Sequence, residues 1–89
     1  MSVSPSLISF VARSRKRRGV LTMLCQKPMS QAEIRKALSM YKSHVSRSLK
    51  ELTRKKLIVC QNPDDRAFEF YKLTSLGAKA IKEVDKILS

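Results

Sequence analysis

The chain has 89 residues, and its 19 basic and 7 acidic side chains give a formal net charge of +12. This length predicts a single domain over residues 1–89 with a modest core, because small chains bury a smaller share of their surface than large ones. The excess of positive charge raises the concentration of anions at the surface, which favours nucleic acid or an anionic membrane as the partner. A charged surface that only maintains solubility is the alternative interpretation.

Several classes of protein are disfavoured by simple patterns. The sequence has no run of about 18 apolar residues, so no transmembrane helix is expected. The basic cluster near the N-terminus follows an apolar stretch, which is opposite to the order in a secretory signal. The two cysteines, Cys25 and Cys60, do not make a disulfide framework. They are predicted to be small buried side chains of an intracellular, cytoplasmic protein, with a redox or metal sensor as the minor alternative.

Two helices are predicted in the first third of the chain. A serine–proline pair at residues 4–5 favours a helix start, and the apolar spacing predicts a short helix over Ser6–Ala12. Ser14 either caps a second helix or lies within a continuous one. The apolar stripe of that segment ends before Pro28, and Gly19 within it costs about 1 kcal/mol relative to Ala. The residues predicted to face inward are Leu7, Phe10, Val11, Val20, Leu21 and Leu24.

The clearest helix start lies in the run MSQAEI, residues 29–34. Ser30 is the predicted N-cap, and Glu33 three residues later completes a capping box. Met29 and Ile34 occupy the two positions of a hydrophobic staple around this cap. The helix is predicted to end near Ser39, and its inward-facing residues are Ile34, Ala37 and Leu38.

A basic amphipathic helix is predicted over Tyr41–Lys56, with the sequence YKSHVSRSLKELTRKK. Apolar side chains recur at helical spacing and predict a buried face that Tyr41 extends. The members of that face are Val45, Leu49 and Leu52. The opposite, polar face is either an ordinary solvated surface or a surface for a negatively charged partner. Its members are Lys42, Ser43, Ser46, Arg47, Lys50 and Arg54.

A β-hairpin and a last helix are predicted in the C-terminal third. Leu57–Cys60 and Ala67–Leu73 have the composition of strands, and Asn62–Arg66 has the composition of a turn. The faces of the second strand are ambiguous, because aromatic and aliphatic side chains lie on both sides: Phe68 and Phe70 on one, Tyr71 and Leu73 on the other. Thr74 is the predicted cap of a helix over Ser75–Leu88. The apolar stripe of this helix is predicted to be Leu76, Ala80, Val84 and Ile87.

A short capped helix followed at once by a basic amphipathic helix predicts a helix-turn-helix, and the hairpin makes it winged. The run SHVSRSLKELTRKKLI, residues 43–58, resembles the recognition-helix signature of winged-helix transcriptional regulators of the MarR and ArsR kind. YKLTSLG at residues 71–77 resembles their passage from the wing into the last helix. SRKRRGVLTML at residues 14–24 is similar to the first helix of small archaeal members. The expected fold class is α+β, mainly α, with a winged helix-turn-helix over nearly the whole chain.

The sequence departs from this family at three points. Lys56 stands where the family usually has Gly, so the recognition helix needs another ending, such as an ordinary frayed turn. Tyr41 stands where the family tends to cap this helix with Ser or Thr, and Ser39 or Ser43 are the alternative caps. The cysteine pair that binds metal on the recognition helix of ArsR sensors is absent. Neither a metal nor a cofactor is expected.

The resemblance implies that the recognition helix enters the major groove of double-stranded DNA. Side chains in its N-terminal half reach base edges there, and Ser43, Ser46 and Arg47 match the family's most frequent DNA-contacting positions. Lys50 and Arg54 lie further along and are expected on phosphates. At the wing, Arg66 is expected to reach the minor groove or its phosphates, with a plain polar turn as the alternative. The predicted DNA-binding residues are Lys42, Ser43, His44, Ser46, Arg47, Lys50, Arg54 and Arg66.

Other polar features have more than one interpretation. The wing acids Asp64 and Asp65 oppose the charge of DNA, and they either orient Arg66 or shape the turn. The run Arg13–Arg18 places five positive charges in six residues. It contacts flanking phosphates, forms a solvated face or binds an acidic partner. Membrane docking is disfavoured, because no aromatic-rich amphipathic face is adjacent. His44 contacts a phosphate or base, or packs against its neighbours.

The terminal helices carry more apolar surface than a small core needs. A two-fold homodimer would bury the surplus and place two recognition helices about 34 Å apart. Alternatively, these stripes cover the core of the monomer. The residues concerned are Leu7, Phe10, Val11, Leu76, Val84, Ile87 and Leu88.

The resemblance implies a sequence-specific transcriptional regulator, expected to be a repressor, that occupies a palindromic operator as a homodimer. The alternatives are a sequence-neutral chromatin protein and a winged helix that docks another protein. An enzyme is not expected, because the sequence shows no nucleophile–base constellation, no Gly-rich phosphate loop and no clustered acids. No site for a small-molecule ligand is evident.

Overall fold

The computed structural model describes residues 3–62 and 69–88. Within them the chain forms five helices and three short strands, which agrees with the predicted class, α+β and mainly α. The elements in chain order are α1 (Pro5–Ala12), α2 (Arg15–Gln26), β1 (Met29–Ser30), α3 (Gln31–Leu38), α4 (Lys42–Arg54), β2 (Ile58–Cys60), β3 (Phe70–Leu73) and α5 (Ser75–Leu88).

The first two helices are separated by their own serine caps. Ser4 Oγ accepts a hydrogen bond from the Leu7 N–H at 3.3 Å, so α1 begins at Pro5, one residue before the predicted start. Ser14 Oγ accepts from the Arg17 N–H at 3.3 Å, which makes α2 a new helix and excludes a continuous one. As predicted, α2 ends before Pro28, and it passes through Gly19 without a break.

The capping box at the start of α3 is confirmed. Ser30 Oγ accepts from the Glu33 N–H at 3.2 Å, and Glu33 Oε1 accepts from the Ser30 N–H at 3.1 Å. The hydrogen bond from the Ser30 backbone is the main reason that the pKa of Glu33 is lowered. One prediction for this helix is wrong: Ala37 is exposed, because the short α3 turns only Ile34 and Leu38 toward its neighbours.

The strands form one antiparallel sheet with the order β1-β3-β2. The predicted pairing of the last two strands is confirmed, with Ile58 opposite Leu73 and Cys60 opposite Tyr71. The strand β1 was not predicted; it adds Met29 and Ser30 to the free edge of β3. The predicted turn at Asn62–Arg66 and the start of the predicted strand at Ala67 fall largely on residues 63–68, which lie outside the described residues.

The hydrophobic core lies where all five helices and the sheet meet. Its fully buried large side chains are Val11, Val20, Leu21, Ile34, Val45, Leu52, Leu57, Ile58 and Val84. Tyr71 and Leu73 pack against this core, which resolves the ambiguity of the second strand: their side faces inward. Helix α1 packs mainly against α5 and α2, where Val11 is fully buried and Leu7, Ile8 and Phe10 are half-buried.

The predicted apolar stripe of α5 is wrong at both ends. Ala80 and Val84 are buried as expected, but Leu76 is 36% exposed and Ile87 is 62% exposed. The buried face instead consists of Gly77, Ala80, Ile81 and Val84. The buried face is rotated relative to the predicted one because the first turn of α5 lies directly against the backbone of Leu57. Only the side of that turn that carries Gly77 fits there.

Helix α4 ends in a Schellman motif, where a frayed turn was expected. Lys56 has φ 62°, in the left-handed region. The Lys56 N–H donates to the Thr53 carbonyl at 2.9 Å, and the Leu57 N–H donates to the Leu52 carbonyl at 3.0 Å. These two bonds define the motif. A lysine therefore occupies a backbone conformation that favours glycine, in the turn that connects α4 to β2.

Replacing Lys56 with glycine is expected to stabilise the fold by about 0.5–1 kcal/mol, because glycine adopts the left-handed conformation without the strain that a Cβ introduces. Chemical denaturation would measure the change. The matched control is Lys55→Gly, since Lys55 has φ −83° and gains nothing from glycine. Equal effects of the two substitutions would contradict strain at Lys56.

Candidate nucleic-acid interface

Helix α4 separates its buried and polar faces as the sequence predicts. Val45, Leu49 and Leu52 are buried. Ser48, which lies on the same side of the helix, is buried as well. Ser46 on the opposite side is half-buried, and the remaining polar side chains there are exposed to solvent. We call the following set the polar face of α4: Lys42, Ser43, Ser46, Arg47, Lys50 and Arg54.

The start of α4 differs from the prediction. Tyr41 is the N-cap residue, and among the described residues no side chain provides a cap hydrogen bond there. Ser43 lies inside the first turn, and Ser39, with φ 53°, ends α3, so neither alternative cap is used. Tyr41 was expected to extend the apolar face, but it is 77% exposed. Its ring instead meets the His44 ring edge to face, with centroids 5.6 Å apart.

A cavity of about 440 Å³ lies between the first turn of α2 and the first turn of α4. Arg15 and Lys16 line it from α2, and Tyr41 and His44 line it from the α4 side. The rest of the lining comes from Gly19 and from residues 38–40. The structure thus brings part of the basic run Arg13–Arg18 to the same place as the predicted site residue His44.

A second cavity of about 590 Å³ lies along α4 on the side of the sheet, and it is lined by Lys50 and Arg54 together with Cys60, Glu69 and Tyr71. The Tyr71 hydroxyl donates to Glu69 Oε2 at 2.9 Å. Burial, and then the hydrogen bond to Glu69, raises the pKa of Tyr71 to about 12, so the phenol stays protonated at neutral pH. Glu69 is thus an acidic residue that lines the same cavity as two cations of the polar face.

Within the basic run, Arg17 has a structural role that the sequence did not reveal. Its Nη1 donates to the Phe10 carbonyl at 2.7 Å and its Nη2 donates to Glu51 Oε2 at 2.8 Å. The guanidinium carbon also lies 3.8 Å from the centroid of the Phe10 ring. Arg17 therefore joins α1, α2 and α4, while Arg15 and Lys16 beside it are exposed.

The prediction that both cysteines are buried is wrong. Both lie in the described part of the chain as free thiols, Cys25 exposed on α2 and Cys60 half-buried in β2. Partial burial, followed by the charge of Asp85, raises the pKa of Cys25, while Lys82 opposes this shift. A raised pKa reduces the thiolate fraction at neutral pH, and the thiolate is the reactive form.

Other types of site are not found in the described part of the chain. Over residues 3–62 and 69–88, no group of three or more His, Cys, Asp or Glu side chains is placed to hold a metal ion. In the same residues, no helix has the length and apolar character needed to cross a membrane. Arg66, the predicted contact of the wing, lies outside the described residues, as do Asp64 and Asp65.

The arrangement of α3, α4 and the antiparallel sheet defines a winged helix of the kind found in transcriptional regulators. MarR of E. coli, solved as a cysteine-to-serine mutant, superposes with a TM-score of 0.79 at 24% identity, covering 93% of this chain and 62% of MarR. MepR of S. aureus, solved as a phenylalanine-to-leucine mutant bound to an oligodeoxyribonucleotide, gives 0.74 at 29% identity, with 84% and 57% covered. Reduced HlyU of Vibrio cholerae gives 0.75 at 24% identity, with 92% and 85% covered.

These neighbours confirm the predicted resemblance to winged-helix regulators of the MarR type, and they confirm the fold. The chain spans about three fifths of the length of MarR and MepR. Residues 5–89 match the family described as the HVO_A0261 N-terminal domain, and the chain belongs to that family. No curated protein matches the sequence.

Proposed function

We propose that the chain is a transcriptional regulator that binds double-stranded DNA in a sequence-specific manner, with α4 in the major groove. The observation that carries the proposal is the polar face of α4. The opposite side of this helix is packed into the core by Val45, Leu49 and Leu52. A major groove is about 12 Å wide and admits one α-helix. With a net charge of +12, the surrounding surface attracts the phosphate backbone.

The proposed contacts differ along the helix. Lys42, Ser43 and Arg47 lie in the first two turns of α4, where side chains reach base edges, and Ser46 and His44 flank them. Lys50 and Arg54 lie one and two turns further on, and they are assigned to phosphates. Arg66 keeps its predicted role at the wing. The likeness to MepR supports DNA as the partner, because that protein is 29% identical and was solved with an oligodeoxyribonucleotide.

Titration of the isotopically labelled protein with a random-sequence duplex of about 16 base pairs, at about 0.15 M salt, tests the proposed face. Amide resonances of α4 are expected to shift, whereas those of the exposed side of α5 stay in place. Shifts concentrated on α5, or no shifts with any duplex, would contradict the proposal. The second result would favour a winged helix whose basic face docks an acidic protein.

The proposal includes a homodimer that acts as a repressor by covering a palindromic operator. The apolar side chains of α1 are buried or half-buried in the monomer, whereas Leu76, Ile87 and Leu88 of α5 are exposed. Burial of the α5 residues against a second copy is the proposed dimer contact. Sedimentation velocity is expected to show a dimer for the native chain and a monomer for Ile87→Glu. A monomeric native chain at micromolar concentration would contradict the dimer.

A second candidate function is sequence-neutral binding by an architectural protein, and the net charge of +12 favours it. Charge alone supplies affinity for any duplex without an operator preference. The two functions differ in whether side chains of α4 discriminate between bases.

Arg47 and Lys50 provide a matched pair of substitutions for that question. Arg47→Ala is expected to reduce the preference for an operator over random DNA by about 1–3 kcal/mol. Lys50→Ala is expected to weaken both complexes equally and to reduce the salt dependence, because phosphate contacts carry no sequence information. Fluorescence anisotropy on both duplexes measures the two effects. An equal loss on both duplexes for Arg47→Ala would assign Arg47 to phosphate.

A further inference from the structure

The two borders of the polar face of α4 differ in what they present to DNA. At about 3.6 residues per turn, His44 and Glu51 lie along one border of that face, and Ser46 and Thr53 lie along the other. The contacts agree with this placement. His44 lines the cavity shared with α2, and Glu51 binds Arg17 of α2. Ser46 and Thr53 line the cavity shared with the sheet.

The border next to α2 carries net positive charge, because Glu51 on this border is paired with Arg17 and two further cations stand beside them. Arg15 and Lys16 are exposed and line the same cavity as Tyr41 and His44 at the start of α4. Among the described residues that line this cavity, none is acidic. At the sheet border, the cavity that Lys50 and Arg54 line is also lined by an acidic residue, Glu69.

The position of Arg15 and Lys16 relative to α4 is fixed by the next residue. Arg17 is bonded to Glu51 of α4 at 2.8 Å and to the Phe10 carbonyl at 2.7 Å. These contacts set the rotation of the first turn of α2 against α4. The two exposed cations are therefore held on the α2 border of the polar face.

We propose that Arg15 and Lys16 bind backbone phosphates of the DNA strand that borders the major groove on the α2 side. The inference rests on the proposed function. A helix with its side chains is about 10–12 Å across and the groove is about 12 Å wide, so phosphates line both borders of an inserted α4. Arg and Lys are the usual partners of those phosphates. Within the basic run, Arg17 therefore stabilises the fold, whereas Arg15 and Lys16 are assigned to DNA.

The double variant Arg15→Gln with Lys16→Gln tests this site in the full chain. The matched control is Lys79→Gln with Lys82→Gln, which removes the same charge from α5. Helix α5 packs on α1, α2 and β3, away from the polar face. Affinity for a random-sequence duplex of about 16 base pairs would be measured by anisotropy at several salt concentrations.

The α2 variant is expected to reduce the slope of log affinity against log salt concentration by about 2, since each lost phosphate contact contributes about 0.9. It is also expected to weaken binding about tenfold at about 0.15 M salt, while the control retains the native slope. Equal slopes for the two double variants, with the native chain still bound, would overturn this inference alone and point to an acidic protein at this border. A native chain that bound no duplex would overturn both this inference and the proposed function.

Discussion

Replacing Gly77 with alanine is expected to destabilise the fold by about 3 kcal/mol, which lowers the Tm by roughly 12–24 °C for a domain of this size. A Cβ at this position would lie 2.0 Å from the Leu57 carbonyl oxygen. That oxygen cannot move freely, because it accepts hydrogen bonds from both the backbone N–H and the hydroxyl of Thr74, each at 3.1 Å. Thermal and chemical denaturation would measure the loss.

Gly19→Ala is the matched control, because both glycines lie within helices. At Gly19 the added Cβ would meet Leu38 Cδ1 at 3.3 Å, and this atom ends a half-buried side chain beside an open cavity. A small movement of Leu38 relieves that contact, so the gain in helix propensity of up to about 1 kcal/mol is expected to dominate. A Gly77→Ala variant as stable as Gly19→Ala would contradict the close approach of α5 to Leu57.

Arg17→Ala is expected to destabilise the fold by about 2–3 kcal/mol, the second large effect. The substitution removes charge-assisted hydrogen bonds to Glu51 and to the Phe10 carbonyl, together with the stacking on Phe10. The bond to Glu51 is shielded, since the two side chains are only 18% and 33% exposed. It therefore contributes more than an ordinary surface ion pair. Denaturant unfolding would give the difference in free energy.

Lys16→Ala provides the comparison for Arg17→Ala, because it removes one charge from the adjacent, exposed position of the same helix. Its effect on stability is expected to stay within about 0.5 kcal/mol. A loss for Arg17→Ala no larger than this value would show that Arg17 is a solvated residue, and it would remove the anchor that positions Arg15 and Lys16.

Local signals were sufficient to predict much of the fold. Capping serines and apolar periodicity identified the helices, because these patterns report local hydrogen bonds and a single buried face. The three apolar positions predicted for the buried side of α4, Val45, Leu49 and Leu52, are all buried, whereas Tyr41 is not. The chemistry of the polar face followed from the same periodicity, since the residues between the apolar positions must face away from the core.

Features that depend on contacts between distant segments were missed. The strand β1 has only two residues, and its pairing with Tyr71 and Phe70 joins segments about 40 residues apart. The role of Arg17 depends on Glu51, 34 residues further along the chain. The exposed position of Ile87 follows from the rotation of α5, which the approach of Gly77 to Leu57 determines. None of these contacts has a periodic or capping signal.

The conformation of Lys56 was missed for a different reason. Glycine is the usual signal for a left-handed residue after a helix, and this chain has lysine there. Two backbone hydrogen bonds of Leu57 compensate for the local strain: its N–H donates to the Leu52 carbonyl, and its carbonyl accepts from the Thr74 N–H. The sequence shows that lysine replaces the usual glycine, but it does not show that this lysine adopts the left-handed conformation.

Selection from a library of random duplexes at about 0.15 M salt, followed by sequencing of the bound fraction, tests the central claim most directly. We expect enrichment of a palindrome whose half-sites lie about one helical turn apart, because α4 reads bases and two copies bind together. Binding without enrichment would contradict sequence-specific recognition and establish an architectural protein. The absence of binding would contradict the assignment of DNA as the partner of the polar face of α4.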